Sequence, residues 1–528
     1  MELREFTMAE LLFRRRREQG DDIAYFFDGT PYTWQAADED SDRTALALME
    51  RGVDKGTHVG LLGVNTYAWI VFYFAIRKLG AVAVLFNASS QQRELQELLT
   101  YTDVSFLAVG EEKPRDHLDY RLMLKSIQNE TGLKLTCFYM DNFLEKAQPG
   151  VSLSFRQIEQ LRAAKASVSS RDAACILFTS GTTLRPKGVV LSEYGMLNNS
   201  ASICERMRWS GEDRMLLATP FYHCSGTTAG FLLGLLGGFS SVILRYYSSE
   251  RILCSIEDYH CTCFNVVPSM LLMLMQKKEL SWYDLSSLRS GTIAGSTFTA
   301  RQYQEFCQVF QLERLQPAYG QTETSPLVTL AEYEDTEKQK SQSIGRALPG
   351  IQLRIWDTQN DHEAEPGQPG ELQVKGYCVM LGYYKQPEQT SAKFTADGWL
   401  KTGDIVSQGS DGCFHFCGRI SEMIIRGGEN ISPSEIEEAI SLFPGVTDVK
   451  VVGVAEDIVQ EKVVALLTVD TPGFDCETLR LELKKQIARY KIPEQFFVIP
   501  AFPMTSNGKI DQKAAAALAA QLSREATG

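Results

Sequence analysis

Ala173-Ala174-Cys175-Ile176-Leu177-Phe178 runs directly into Thr179-Ser180-Gly181-Thr182-Thr183-Leu184-Arg185-Pro186-Lys187-Gly188. The short apolar run, bounded by turn residues, reads as a buried strand, and the stretch from Thr179 to Gly188 reads as a loop. Glycine and small hydroxylated side chains let backbone N–H groups approach phosphate oxygens closely, and the hydroxyls add donors. Lys187 and Arg185 bring positive charge. A Walker A loop ends in Gly-Lys-Ser/Thr, whereas this one ends in Pro186-Lys187-Gly188, so the phosphate loop is of another kind. Clusters of Ser, Thr, Gly and Pro also make plain connections, so the stretch alone leaves both readings open.

On either side of it, strand-like runs at His58–Gly63, Val82–Leu85, Ser241–Leu244 and Cys263–Val267 alternate with helical patterns at Tyr67–Lys78 and Ser269–Gln276. That alternation predicts α/β sheets with helices on both faces. Gly345–Gly350 and Glu365–Gly370 are turn-rich punctuation. The texture changes after Cys417. Val446–Val454 and Lys462–Val469 read as a hairpin-like strand pair joined by a short charged loop, and Leu479–Tyr490 as a helix. A chain of 528 residues exceeds one compact core. The expected architecture is a large α/β N-terminal domain, 1–418, with mixed sheets and flanking helices. A small α+β C-terminal domain, 419–528, completes the chain, joined by a hinge near Gly418–Ile420.

Composition narrows the function. Hydrophobic residues make up 44% and charged residues 23%, as in ordinary globular proteins. The net charge of −13 and the lack of a long basic tract exclude a nucleic-acid binder. The one dense basic run, Arg14–Arg17, comes after Leu11, Leu12 and Phe13 and fits an amphipathic surface helix. The most apolar stretch, Ala229–Leu244, is interrupted by four glycines and two serines and is too short to span a bilayer. It reads as a buried helix and then a strand. Neither a signal peptide nor a transmembrane segment is expected, and twelve cysteines without framework spacing suggest free thiols in the cytoplasm. His260, Cys261 and Cys263, like Cys413, His415 and Cys417, fall short of the four ligands of tetrahedral zinc.

The loop is the first of an ordered series. Pro220-Phe221-Tyr222-His223, Ala294-Gly295-Ser296-Thr297 and Tyr319-Gly320-Gln321-Thr322-Glu323 come next. Then come Gly370-Glu371-Leu372, Gly376, Gly382-Tyr383 and Asp397-Gly398-Trp399-Leu400-Lys401-Thr402-Gly403-Asp404. Gly418-Arg419, Gly427-Gly428-Glu429-Asn430-Ile431 and Asn507-Gly508-Lys509-Ile510 complete it. In this order, over almost the whole chain, the motifs resemble those of the adenylate-forming superfamily: acyl-CoA synthetases, peptide-synthetase adenylation domains and firefly luciferase. The chain is most similar to an AMP-forming acyl-CoA synthetase.

The resemblance implies a carboxylate attacking the α-phosphate of ATP to give an acyl-adenylate and pyrophosphate, then acyl transfer to coenzyme A. Loading of a carrier-protein thiol is the alternative. It implies that Thr179, Ser180, Gly181, Thr182, Thr183 and Lys187 hold the β- and γ-phosphates, and that Glu323 is the magnesium ligand. It places Thr322 at the α-phosphate and Asp404 on the ribose hydroxyls, with Arg419 adding charge. Gly295, Ser296, Tyr319, Gly320 and Gln321 belong to the nucleotide site, Gly295 and Tyr319 walling the adenine. Lys509 is implied as the catalytic cation bridging acyl carboxylate and phosphate, His223 as the guard of the acyl site, and Gly427, Gly428 and Glu429 as the lining of the thiol path. The cofactors expected are therefore ATP, Mg2+ and the co-substrate CoA. The aromatic motif continues Cys224-Ser225 without an acid, so a substrate ammonium lacks a partner and an amino acid is disfavoured. Small residues at Ser225, Gly226, Ala229 and Gly320 suggest room for an apolar acyl chain or a bulky acid. Departures from the family pattern are Leu184 for glycine, Thr297 for proline, Ser421 at the hinge, and Met504 and Gln512 for basic residues.

Overall fold

In the computed structural model, residues 3–110, 119–146, 153–179, 187–426, 429–456, 460–471, 473–487, 489–505 and 509–526 are described. Two large mixed sheets dominate. In the first, Val82–Phe86, His58–Leu62, Phe106–Val109 and Thr136–Tyr139 run parallel to Ala173–Thr179. Lys187–Ser192 then returns antiparallel to Ala173–Thr179, and Gly382–Tyr383 pairs at that edge. The second sheet carries a parallel run through Ser240–Ile243, Arg214–Leu217, Cys263–Val266, Ser290–Ile293 and Arg314–Gly320. Antiparallel Leu327–Leu330 extends it.

Tyr67–Lys78 is the helix that the sequence predicts. It is capped by the Thr66 side chain on the Trp69 N–H, and every residue in it is buried. Its apolar side chains join both sheets into one core. The last two residues of the helix are cations and need partners once buried. Arg77 Nε lies 2.7 Å from Glu193, and Lys78 Nζ lies 2.7 Å from Asp38 and 2.5 Å from Asp42.

Ala229–Leu244 resolves into a π-helical turn over Thr227–Phe231, an α-helix over Leu232–Gly237 and the strand Ser240–Ile243. The arginine run lies on the helix Met8–Gln19, whose Leu11 and Leu12 are buried. Arg15 donates to the carbonyls of Leu235 and Leu236 at 2.8 and 2.5 Å, satisfying acceptors that the end of Leu232–Gly237 leaves open.

A third, antiparallel sheet runs through Ile351–Asp357, Gly370–Gly376, Leu400–Gln408 and Phe414–Arg419. Its turns stand out in the sequence; its strands are half-polar and do not. A short 3-10 turn at Ile420–Glu422 leads to Ile424–Arg426, which belongs to the C-terminal sheet. There Val446–Glu456 and Gln460–Val469 pair antiparallel, as expected of the hairpin, and Gln495–Val498 joins in parallel. The expected helix Leu479–Tyr490 is observed as Cys476–Gln486, capped by Asp475, with a 3-10 turn at Arg489–Lys491. Among the described residues, no helix is long and apolar enough to cross a membrane.

Candidate nucleotide and acyl-transfer site

Three strand ends and one bridged segment near the C-terminus converge. Thr179 and Lys187 face each other across the antiparallel pair at the edge of the first sheet. Ser180, Gly181, Thr182 and Thr183, with Leu184, lie outside the described residues. The Lys187 ammonium stands 5.0 Å from the centroid of the Tyr383 ring. The Tyr383 hydroxyl in turn donates to Glu323 Oε1 at 2.8 Å. Glu323 sits in a single 3-10 turn, Thr322–Thr324, and is almost buried. One carboxylate oxygen is thereby held by a phenol. A carboxylate so fixed suits a hard divalent ion that takes its remaining oxygens from phosphate and water.

Asp404 is the most tightly held acid of the site. Tyr319 donates its hydroxyl to Oδ2 at 2.5 Å, and Arg419 Nε lies 3.1 Å from Oδ1. The Asp404 N–H donates to Thr402 Oγ1 at 3.0 Å, and the Gly403 N–H to Glu371 Oε1 at 3.0 Å. Burial nevertheless pushes the Asp404 carboxyl above its ordinary range, outweighing Arg419 and Tyr319. Burial works against the Arg419 charge as well, but Asp404 and Glu422 more than restore it.

Lys509 reaches the site from the C-terminal part of the chain, beyond the last strand of the C-terminal sheet. Thr505 holds it at both ends, its N–H donating to the Lys509 carbonyl at 2.7 Å and its Oγ1 accepting from the Lys509 N–H at 3.2 Å. The bridge between Met504 and Ile510 closes this segment; Asn507 and Gly508 fall outside the described residues. The lysine side chain lies against Gly295: a β-carbon added there would be 3.2 Å from both Cε and Nζ. Gly295 also has φ +91°, so glycine serves both the turn and the approach. Burial lowers the proton affinity of Lys509 and Arg419 adds to that, against the pull of Cys224.

On the acyl side, His223 is half-buried and packs against Tyr222 at 4.8 Å between centroids. Cys224, next to it, has Sγ 3.7 Å from Thr322 Oγ1. The reading of Gly226 and Gly320 as room for substrate needs correcting. A β-carbon on Gly226 would lie 2.0 Å from the Pro220 carbonyl, and one on Gly320 1.8 Å from that of Pro326. Both are glycine because the backbone is packed against them.

The remaining expected residues are less involved here. Ser296 is exposed, and Gln321 contributes its N–H to Thr324 Oγ1 at 3.1 Å. Gly427 and Gly428 fall outside the described residues, and Glu429 enters through its backbone pairing with Arg426. Sequence reasoning gave no role to Tyr383, Glu371, Thr402, Cys224 or Lys393. The first three stand inside the motifs quoted, yet their hydrogen bonds depend on strands brought together only by folding.

Comparison with known proteins fits this geometry. The family model described as AMP-binding enzyme matches residues 12–384, and that of the AMP-binding enzyme C-terminal domain matches 435–509. The chain is 32% identical over 518 residues to the mitochondrial medium-chain acyl-CoA ligase ACSF2 of Macaca fascicularis, covering 91% of this chain and 81% of that one. Among solved structures, the anthranilate CoA ligase AuaEII in complex with anthranoyl-AMP superposes with a TM-score of 0.87 at 21% identity, covering 99% of each chain. The o-succinylbenzoate coenzyme A synthetase MenE of Bacillus subtilis, in complex with ATP and magnesium, gives 0.78 at 26%, covering 95% of this chain and 98% of that one. With one family model spanning most of the large sheets and another the C-terminal sheet, the chain belongs to the family of AMP-binding enzymes.

Proposed function

We propose that the chain is an ATP-dependent, AMP-forming carboxylic acid:CoA ligase, making an acyl-adenylate and pyrophosphate and then passing the acyl group to CoA. The observation that carries this reading is the Lys509 side chain, from the C-terminal part of the chain, lying against Gly295 of the nucleotide motif series, while Arg419, which pairs with Asp404, acts on its charge. Lys509 brings positive charge to the point where two anions, carboxylate and triphosphate, must meet. Asp404 accepts from the ribose hydroxyls and fixes the nucleotide. Thr322 donates toward the α-phosphate, and Lys187, with Thr179 and the loop through Ser180–Thr183, takes the outer phosphates. His223 packs beside the reacting carboxylate. Glu323 holds Mg2+, which supplies charge neutralisation of the phosphates when bound.

We assign the large domain to 1–418 and the small one to 419–528, with Gly427, Gly428 and Glu429 on the path of the thiol. The acyl group is assigned as uncharged and of medium length. The medium-chain ligase relative supports this, as does the absence of an acid in the motif around His223. ATP–pyrophosphate exchange over a panel of fatty, aryl and amino acids, and then acceptor assays with CoA and a carrier protein, test the reading. Exchange with an apolar acid and transfer to CoA are expected. Exchange with free amino acids alone, or transfer to carrier protein only, would overturn it.

A further inference from the structure

Lys393 closes the helix Pro387–Lys393, just before the turn that leads into Leu400–Gln408. No motif accounts for a cation there. Its ammonium turns inward and donates to the Thr402 carbonyl at 3.0 Å. A β-carbon added to Gly403 would lie 3.9 Å from its Nζ. Thr402 and Gly403 immediately precede Asp404. Across the strand pair, at the bulge opposite Glu371 and Gln373, Glu371 accepts the Gly403 N–H at 3.0 Å. Burial lowers the proton affinity of this amine, and the like charge of Lys187 adds to that, while the carboxylates of Glu323, Glu371 and Asp404 pull the other way and favour the ammonium. Lys393 is therefore fixed to the backbone of the two residues that lead into the acid assigned to the ribose. The three carboxylates are each almost buried, at 6–8% exposure. Buried like charges repel strongly unless a cation sits among them.

We infer that Lys393 is a positioning residue of the nucleotide site: through the Thr402 carbonyl, its ammonium holds the Thr402–Asp404 bulge of the strand in the geometry that receives ATP. This rests on the proposed function, and deepens it by adding a fixed cation that the family motifs do not specify. Removal of the charge loosens the bulge that presents Asp404 and leaves Glu323, Glu371 and Asp404 to repel an incoming polyanion. The acid substrate, bound beyond His223, is untouched.

The test compares unmodified protein with Lys393→Met, Lys393→Gln and Lys393→Arg in ATP–pyrophosphate exchange. A direct titration with a fluorescent ATP analogue and magnesium accompanies it. Met and Gln are expected to raise KM for ATP and weaken analogue binding about tenfold, the size of one lost charge-assisted hydrogen bond. KM for the acid stays within about twofold, because only the nucleotide end is altered. Arg, which keeps charge and donors, restores most of the loss. Unchanged nucleotide affinity in Met and Gln, equal rises in both KM values, or an Arg variant as weak as Met would overturn the inference. Absence of exchange in the unmodified protein would instead overturn the proposed function. A variant that fails to melt cooperatively is replaced by the other neutral one.

Discussion

The two ends of the site are built differently. At the ribose end, Asp404 is engaged by Tyr319, Arg419 and its own backbone through Thr402, all from the third sheet, the second sheet and their immediate continuation. At the end assigned to the acyl group, Lys509 arrives on a separate bridged segment and lies against Gly295, while the thiol of Cys224 is 3.7 Å from Thr322 Oγ1. A group that binds the nucleotide throughout is held by a network formed in advance. A group needed at one step is delivered from a separate element and makes few bonds on arrival, so withdrawing it breaks little. Such separation lets one site serve two chemistries in turn.

The largest expected effect breaks the acyl end. Lys509→Ala should lower pyrophosphate exchange on the order of 10²–10³-fold, since a charge directed at the transition state is removed. Thiolysis of a supplied acyl-adenylate by CoA should fall far less. Single-turnover measurement of each half-reaction decides it, and equal losses would mean that the lysine serves both steps.

Next in size is the ribose end. Asp404→Asn should raise KM for ATP by roughly tenfold to a hundredfold with a smaller change in kcat, as expected of a contact made in ground and transition states alike. The pH dependence has a definite sign. Burial raises the Asp404 carboxyl above its unfolded value, so its contribution to stability is present at low pH and is lost as pH rises through the raised value. At neutral pH, Asp404→Asn should therefore melt no lower than the parent while binding ATP worse. In the unmodified protein, ATP affinity should fall with acidification beginning above the ordinary carboxylate range, and the asparagine variant should lack that limb. A melt well below the parent at pH 7 would contradict the burial argument.

A smaller loss is expected at the join between the ends. Tyr383→Phe removes the phenol from Glu323 Oε1 and should raise the magnesium concentration needed for half-maximal exchange about threefold to tenfold. No shift in a magnesium titration at saturating ATP would show that the phenol does not orient the acid. Least affected should be Cys224→Ala, costing about twofold, because a thiol at 3.7 Å is a weak partner for Thr322. A loss as large as that of Lys509→Ala would overturn the picture of a sparsely bonded acyl end.

Much of this is legible in the unfolded chain. The strand into Thr179, the helix Tyr67–Lys78 and the terminal hairpin all carry periodic apolar signals, and they are found where those signals lie. The third sheet escapes such reading because strands such as Ile351–Asp357 are half-buried over most of their length and carry arginine, glutamine and aspartate. Motif order identifies Asp404, Glu323 and Lys509, but not what holds them. Tyr383 and Glu323 are 60 residues apart in sequence and Tyr319 and Asp404 85. Such pairings belong to topology, and no local pattern announces them. Gly226 and Gly320 mislead for a related reason: absence of a side chain looks the same whether substrate or backbone fills the space.

Those two glycines set a limit for anyone wishing to retune the enzyme toward other acids. The habitual first library randomises every small residue around a pocket. Here, any replacement at Gly226 or Gly320 drives a carbon into a main-chain carbonyl, so those codons would return misfolded clones whatever substrate is offered. Ser225 already carries a β-carbon and is only half-buried, so diversity is better invested there; Ala229 belongs to the buried core, where a larger side chain would overpack it.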